Sequence, residues 1–395
     1  MKSLVDYMRD GLNNITKTNM KLTDSQREFL LKIDKKYNDL IMKFREEHNG
    51  KDILNFKEEK EKFLDEYHHD KKYYPVLKFN KDKIEPTKMK QEFEKLLCEL
   101  NNVPFDCILW KYYRYWLNFF IWVLGHLEKK YEGKYFTVTY PTTVSETDYQ
   151  QALKILKTTK YIAGVKDGRD KDAEYAKEKI EAAIKELGYN WKVEIHDNMV
   201  PRMNVLPNGI VRINQDAKFS DIDIDGLIAH EIKGHIGRRY YGAKMGLYLM
   251  LHGLPNRNIL DEGLAVWNSL NLTEEPKPNI LYNIAMKCVI AYNAQRMDIC
   301  ELFDFMKKIC PKVEEEKIIG ALLRNKRDEV DTRLLGGDIT DASYYIGYKM
   351  IDKMTDKQRE DVLKYNIGPD QLNDLPLIKE FFKQNKFNAI KVEDM

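Results

Sequence analysis

Apolar residues recur at intervals of three and four along most of the first third of the chain. Residues 24–48 place Phe29, Ile33, Tyr37, Leu40, Ile41 and Phe44 on one helical face. The same period runs through 55–69, 87–102 and 106–131. Within the last of these, residues 115–127 (YWLNFFIWVLGHL) carry no charge. That run is shorter than the ~20 residues a membrane-spanning helix needs, so it predicts a buried core helix. Residues 135–140 (YFTVTY) alternate and are rich in aromatic and β-branched side chains, which predicts a strand. Residues 146–158 and 171–187 return to the helical period, the second closed by Gly188. The pattern then changes. Residues 192–196 (KVEIH) and 209–214 (GIVRIN) read as short strands around a Pro/Asn/Gly loop. Ser220, with Asp223 three residues on, starts a further helix with a capping-box pattern. Helices are expected over 221–251, 261–271, 278–309, 312–326, 339–354 and 356–364. The sum is an α+β fold, mostly α, with a small sheet between helical regions. It predicts a helical N-terminal region, 1–132, and a second domain, 133–395.

Composition narrows the class. The 395 residues include 65 Lys and Arg against 63 Asp and Glu, for a formal net charge of +2. Charged residues make up 32% and hydrophobic ones 43%, the balance of a folded, soluble chain. No basic block or tail stands out, which argues against a nucleic-acid partner. The five cysteines are odd in number and form no Cys-x-x-Cys, so neither a disulfide framework nor a thiolate zinc site is expected. Asp6, Arg9 and Asp10 interrupt any apolar run at the start, so no secretory signal is read there. No membrane partner is expected, and the reading is of a cytoplasmic protein.

The candidate chemistry lies in the helix expected at 221–251. It contains His230-Glu231-Ile232-Lys233-Gly234-His235, two histidines five residues apart. Each α-helical residue turns by about 100°, so this spacing puts the two imidazoles ~140° apart. They can share one ion only if the helix absorbs an extra residue in a π-type bulge, and Gly234 is the residue best able to permit one. A hydrolytic zinc site needs a third protein ligand. Glu262, in the run Asp261-Glu262-Gly263-Leu264-Ala265, opens another amphipathic segment with enough chain before it to fold back. His230, His235 and Glu262 would complete a His₂Glu set for Zn²⁺, with Glu231 as general base. Two helical histidines and a glutamate can also form a structural site.

These residues resemble a known family. Three blocks carry the resemblance: INQDAKFSDIDIDGLIAHE (213–231), HEIKGHIGRRYYG (230–242) and HGLPNRNILDEGLAVWNSL (252–270). They resemble the microtubule-associated tyrosine carboxypeptidases and their bacterial QEGLA-motif relatives. The stretch GGDITDASYYIGYKMID (336–352) is similar to a C-terminal segment of that family. The resemblance implies a zincin-like metallopeptidase core, with His230, His235 and Glu262 on zinc and Glu231 catalytic. It implies release of C-terminal tyrosine from a protein tail such as that of α-tubulin, and hence a cytoskeletal location and microtubule partners. Two positions depart from the family pattern. Lys233-Gly234 stands where Gly-Thr is usual, and Asp261 replaces Gln or Glu beside the third ligand. The ligand set is intact, while the mouth of the site differs.

A carboxypeptidase must hold a free carboxylate, most naturally with a cation. Arg238, in the family pattern, is the first candidate, and it has a second reading as a brace for a ligand. Arg333 and Tyr344 are further candidates for substrate binding. Competing readings are a zinc aminopeptidase or dipeptidyl peptidase of the His-Glu-x-x-Gly-His kind, and a non-catalytic protein with structural zinc.

Overall fold

A computed structural model describes residues 20–47, 53–79, 84–131, 144–163, 168–197, 199, 202–206, 208–274, 278–326 and 331–391. The strand expected at 135–140 lies outside them. Among the described residues the chain is mostly helical with one small sheet, as the hydrophobic pattern predicts. It divides into two compact units, Met1–Ala163 with Leu281–Tyr345, and Gly164–Ile280 with Ile346–Met395. This differs from the sequential split expected after residue 132. The first unit recruits helices from late in the chain because their apolar faces pack on an early one.

In chain order the first unit has α1 (Asp24–Glu47), α2 (Phe56–His68), α3 (Pro86–Asn101), α4 (Trp110–Tyr131) and α5 (Glu146–Thr158). The stripe read from α1 is its buried face: Ile33, Tyr37, Ile41 and Phe44 all point inward. Tyr37 meets Tyr113 edge-on, and Phe44 and Phe93 both meet Phe120 at 5.1 Å between ring centres. Each fully buried apolar side chain of this size contributes roughly 1.5–3 kcal/mol. In α4, Leu117 and Leu124 are fully buried, whereas residues 118–123 between them are half-buried. That helix is amphipathic rather than buried all round.

The second unit begins with α6 (Ala173–Glu186), capped by Asp172, whose carboxylate accepts from the Tyr175 amide. Strands β1 (Lys192–His196), β2 (Met203–Val205) and β3 (Ile210–Asn214) follow. Their order is β1-β3-β2, with β3 parallel to β1 and antiparallel to β2. The expected 221–251 helix is four pieces: α7 (Asp221–Leu227), a π-helical segment (Ile228–Ile236), α8 (Gly237–Lys244) and α9 (Tyr248–His252). Gly246 makes the last break. Its φ is +75°, and a Cβ there would lie 2.3 Å from the Asn388 carbonyl oxygen.

Helix α10 (Arg257–Asn271) packs along the π-helical segment. The chain returns to the first unit with α11 (Ile280–Asn293), α12 (Ile299–Ile309) and α13 (Glu315–Asn325). Phe303 of α12 packs on Phe63 and Tyr67 of α2, which draws these helices into the first unit. The single helix expected over 278–309 is interrupted where Asp298 caps α12 in a capping box with Glu301. Helix α14 (Ser343–Asp352) leads back to the second unit, which ends with α15 (Asp356–Tyr365) and α16 (Leu375–Gln384). Among the described residues, no helix is long and apolar enough to cross a membrane.

Candidate metal centre

The helix that bears the histidines is anchored at both faces. Ser220 caps α7 by accepting from the Asp223 amide at 3.1 Å, and Asp223 accepts from the Ser220 amide at 3.2 Å. The same buried carboxylate meets Arg169 at 2.8 Å and Arg202 at 3.0 Å, which ties the helix start to the loops before it and to the sheet. On one face, Ile232 and Ile236 join Val211, Ile213 and Phe219 in the core of the second unit. The opposite face meets α10. Gly234 is there because of that approach: a Cβ would lie 3.1 Å from the Ala265 Cβ and 3.2 Å from its Cα. The extra residue is therefore absorbed over nine residues of π-helix, and Gly234 serves contact between helices.

The π-helical winding brings the two imidazoles, five residues apart, to the same side. Their ring centres are 5.1 Å apart. Glu262, in the second turn of α10, completes the set. Its Oε2 lies 3.8 Å from His230 Nε2 and 3.7 Å from His235 Nε2. One ligand-type atom from each of the three residues falls within 4.8 Å of the others. Among the described residues this is the one group of three so arranged. Donors about 2.0–2.1 Å from a tetrahedral zinc stand roughly 3.3–3.4 Å from one another. The two glutamate–histidine spacings are a few tenths of an ångström beyond that, and the donor set is of the kind that fits such an ion.

Charges are concentrated here. The Asp261 carboxylate is buried, with Oδ1 3.0 Å from His235 Nδ1 and Oδ2 accepting from Arg257 Nη1 at 2.7 Å. Arg238 is 1% exposed. Its Nη2 donates to the Ile367 carbonyl at 2.7 Å and its Nε lies 3.8 Å from Asp261 Oδ1. Burial alone would raise the Asp261 carboxyl, but His235, Arg238 and Arg257 hold it well below the usual carboxylate range. Burial pulls His235 down, yet the carboxylates of Asp261 and Glu262 overcome it and push the metal-free imidazole up to about 10. Glu231 goes the other way. Desolvation raises its carboxyl above the ordinary 4.5, with His235 and Arg239 opposing. On the outer side of the pair, Ser269 Oγ lies 3.5 Å from His230 Nδ1.

Arg238 has the geometry of a brace behind His235, the second of its two readings. Arg333 is in the first unit, where its exposed guanidinium forks onto Asp331 at 2.7–3.1 Å. Tyr344 is also in the first unit, with Lys287 Nζ 3.8 Å from its ring centre. Sequence reading passed over Arg257. Its signal was the i, i+4 spacing to Asp261, which is ordinary for helical ion pairs.

The sequence model of the microtubule-associated tyrosine carboxypeptidases matches residues 61–391. The chain belongs to that family. The match takes in parts of both compact units and all the residues of the His–His–Glu cluster. No match was found among curated proteins. A member of this carboxypeptidase family is a peptidase by class, and the resemblance read from the three sequence blocks therefore holds across most of the chain.

Proposed function

We propose that the chain is a zinc-dependent metallo-carboxypeptidase that releases a C-terminal tyrosine from a protein tail such as that of α-tubulin. The convergence of His230, His235 and Glu262 on one point, with Glu231 next to the first histidine, is the observation that carries the reading. The residues on zinc would be His230 and His235 through Nε2 and Glu262 through a carboxylate oxygen. When bound, the ion supplies a Lewis acid that polarises a carbonyl and makes a nearby water more acidic. Glu231 takes the proton of the attacking water and returns it to the leaving amine. Desolvation of its carboxyl strengthens it as a base for that transfer. Asp261 and Arg238 lie behind His235, away from these reacting atoms. The family description supports tyrosine as the residue released and microtubules as the partner. All five cysteines are free thiols, which supports a reducing, cytoplasmic setting.

The test is incubation of the purified protein with peptides that differ at either end, and with tubulin, read by mass spectrometry with and without a chelator. Loss of C-terminal tyrosine that stops with the chelator and resumes with added zinc is the expected result. Loss from the N-terminus would replace this reading with an aminopeptidase. No loss from any substrate, with zinc bound, would leave a structural site.

A further inference from the structure

We infer that Asp261, clamped by Arg257, is a positioning residue that sets the tautomer and ring orientation of His235. The inference rests on the zinc reading above. A carboxylate can only accept a hydrogen bond, so Nδ1 of His235, 3.0 Å from Asp261 Oδ1, is the nitrogen that carries hydrogen. Nε2 is then the nitrogen that faces Glu262, 3.7 Å away, and the one whose lone pair a cation would take.

The second oxygen of Asp261 prevents the carboxylate from turning. Oδ2 accepts from Arg257 Nη1 at 2.7 Å, one helical turn earlier on α10. Arg257 in turn has room for its side chain only because residue 253 is glycine. With φ at +85°, a Cβ on Gly253 would lie 1.9 Å from Arg257 Cδ. Arg238 closes the other side, with Nε 3.8 Å from Oδ1 and Nη2 held by the Ile367 carbonyl. Three side chains, His235, Arg238 and Arg257, thus converge on one carboxylate.

Ser269 stands behind His230 as Asp261 stands behind His235. Ser269 Oγ donates its single hydrogen to the Ala265 carbonyl at 3.0 Å. Its oxygen can then only accept from His230 Nδ1, at 3.5 Å and without charge. A carboxylate behind an imidazole makes it a stronger and better-oriented ligand than a hydroxyl does.

The experiment measures zinc affinity by competition with a chromophoric chelator for the parent, Asp261→Asn, Arg257→Met and Arg257→Lys. Each is paired with the melting curve of the zinc-free protein and the ¹⁵N-histidine spectrum of the loaded one. Asp261→Asn is expected to weaken zinc by about 10- to 100-fold and to shift the His235 Nδ1–H signal. Arg257→Met should weaken zinc less, and Arg257→Lys should recover part of that loss. Asp261→Asn binding zinc within about twofold of the parent overturns the inference and leaves the zinc reading intact. A parent that takes up no zinc overturns the zinc reading, and this inference with it. Should zinc-free Asp261→Asn lack a cooperative melt, the arginine pair decides: equal affinities for Met and Lys at position 257 overturn the clamp.

Discussion

Both units bury charged side chains, but they use them differently. In the first unit Asp341 pairs with Arg324 at 2.9 Å, while three other buried charges tie down local structure. Lys326 is fully buried and donates to the carbonyls of Leu334 and Gly336, at 2.5 and 2.7 Å. Glu59 accepts from the Tyr73 hydroxyl and the Val76 amide, and Asp34 accepts from the Tyr113 hydroxyl at 2.6 Å. Partners of this kind are neutral, and they satisfy the ion where it sits. In the second unit the buried and half-buried ions face one another: Asp261 with His235, Arg257 and Arg238, and Glu262 with both histidines. Such a cluster is a poor way to gain stability, because desolvating several charges offsets most of their attraction. It is a good way to hold an ion and move a proton. The difference teaches that burial of charge does not by itself mark a site, whereas convergence of charges does.

The sharpest way to break that comparison is to remove one charge of the cluster. Glu231→Gln is nearly isosteric and takes away only the base. Turnover of a tyrosine-ended peptide is expected to fall by about 10²–10⁴-fold, with zinc stoichiometry unchanged. The zinc-free protein should melt at the same temperature at neutral pH or slightly higher. The sign follows from the pKa. The folded state holds the Glu231 proton more tightly than the unfolded chain does, so ionisation works against the fold as pH rises above the ordinary 4.5. A variant that turned over as fast as the parent would place the base elsewhere.

The opposite experiment belongs to the first unit. Lys326→Met keeps the length of the side chain and deletes the donor to two carbonyls. Leaving two carbonyls without their donor is expected to lower stability by about 2–4 kcal/mol, read as a shift in the urea midpoint. Zinc affinity should stay as it was. A large loss of zinc with little loss of stability would show that this lysine does not play the local role its contacts imply.

Much of this arrangement could be read from residue spacing. The stripe from Phe29 to Phe44 gave α1, and Ser220 with Asp223 gave the capped start of α7. The five-residue spacing of His230 and His235 requires a π-helical distortion if both are to hold one ion, because no ideal α-helix presents both to it. What spacing could not supply was contact between distant residues. His235 and Asp261 are partners across two helices, and Arg238 reaches Ile367 far along the chain. The three-residue strand β2 is too short to show alternation and is defined by its pairing to β3. The first unit is discontinuous in sequence because apolar faces on α2 and α12 match, and neither face names its partner.

Gly234 is where local winding and distant contact meet, and a single methyl group tests both. Gly234→Ala adds a Cβ 3.1 Å from the Ala265 Cβ and 3.2 Å from its Cα, tighter than ordinary van der Waals contact. The strain cannot be relieved by rotating a flexible side chain, because the opposing atoms are a methyl group and a backbone carbon. Helix α10 must instead move away by a few tenths of an ångström, or the π-helical segment must rewind. Overpacking of this kind costs about 1–3 kcal/mol, and alanine's better helix propensity returns up to about 1 kcal/mol of that. The net loss of stability is therefore expected near 1 kcal/mol, smaller than for Lys326→Met. The effect should reach the site as well as the fold. A shift between the helices moves Glu262 relative to both histidines, so zinc binding should weaken several-fold while the melting curve of the zinc-free protein stays cooperative. Unchanged affinity would mean that the site tolerates such a shift, and that Gly234 answers to packing alone.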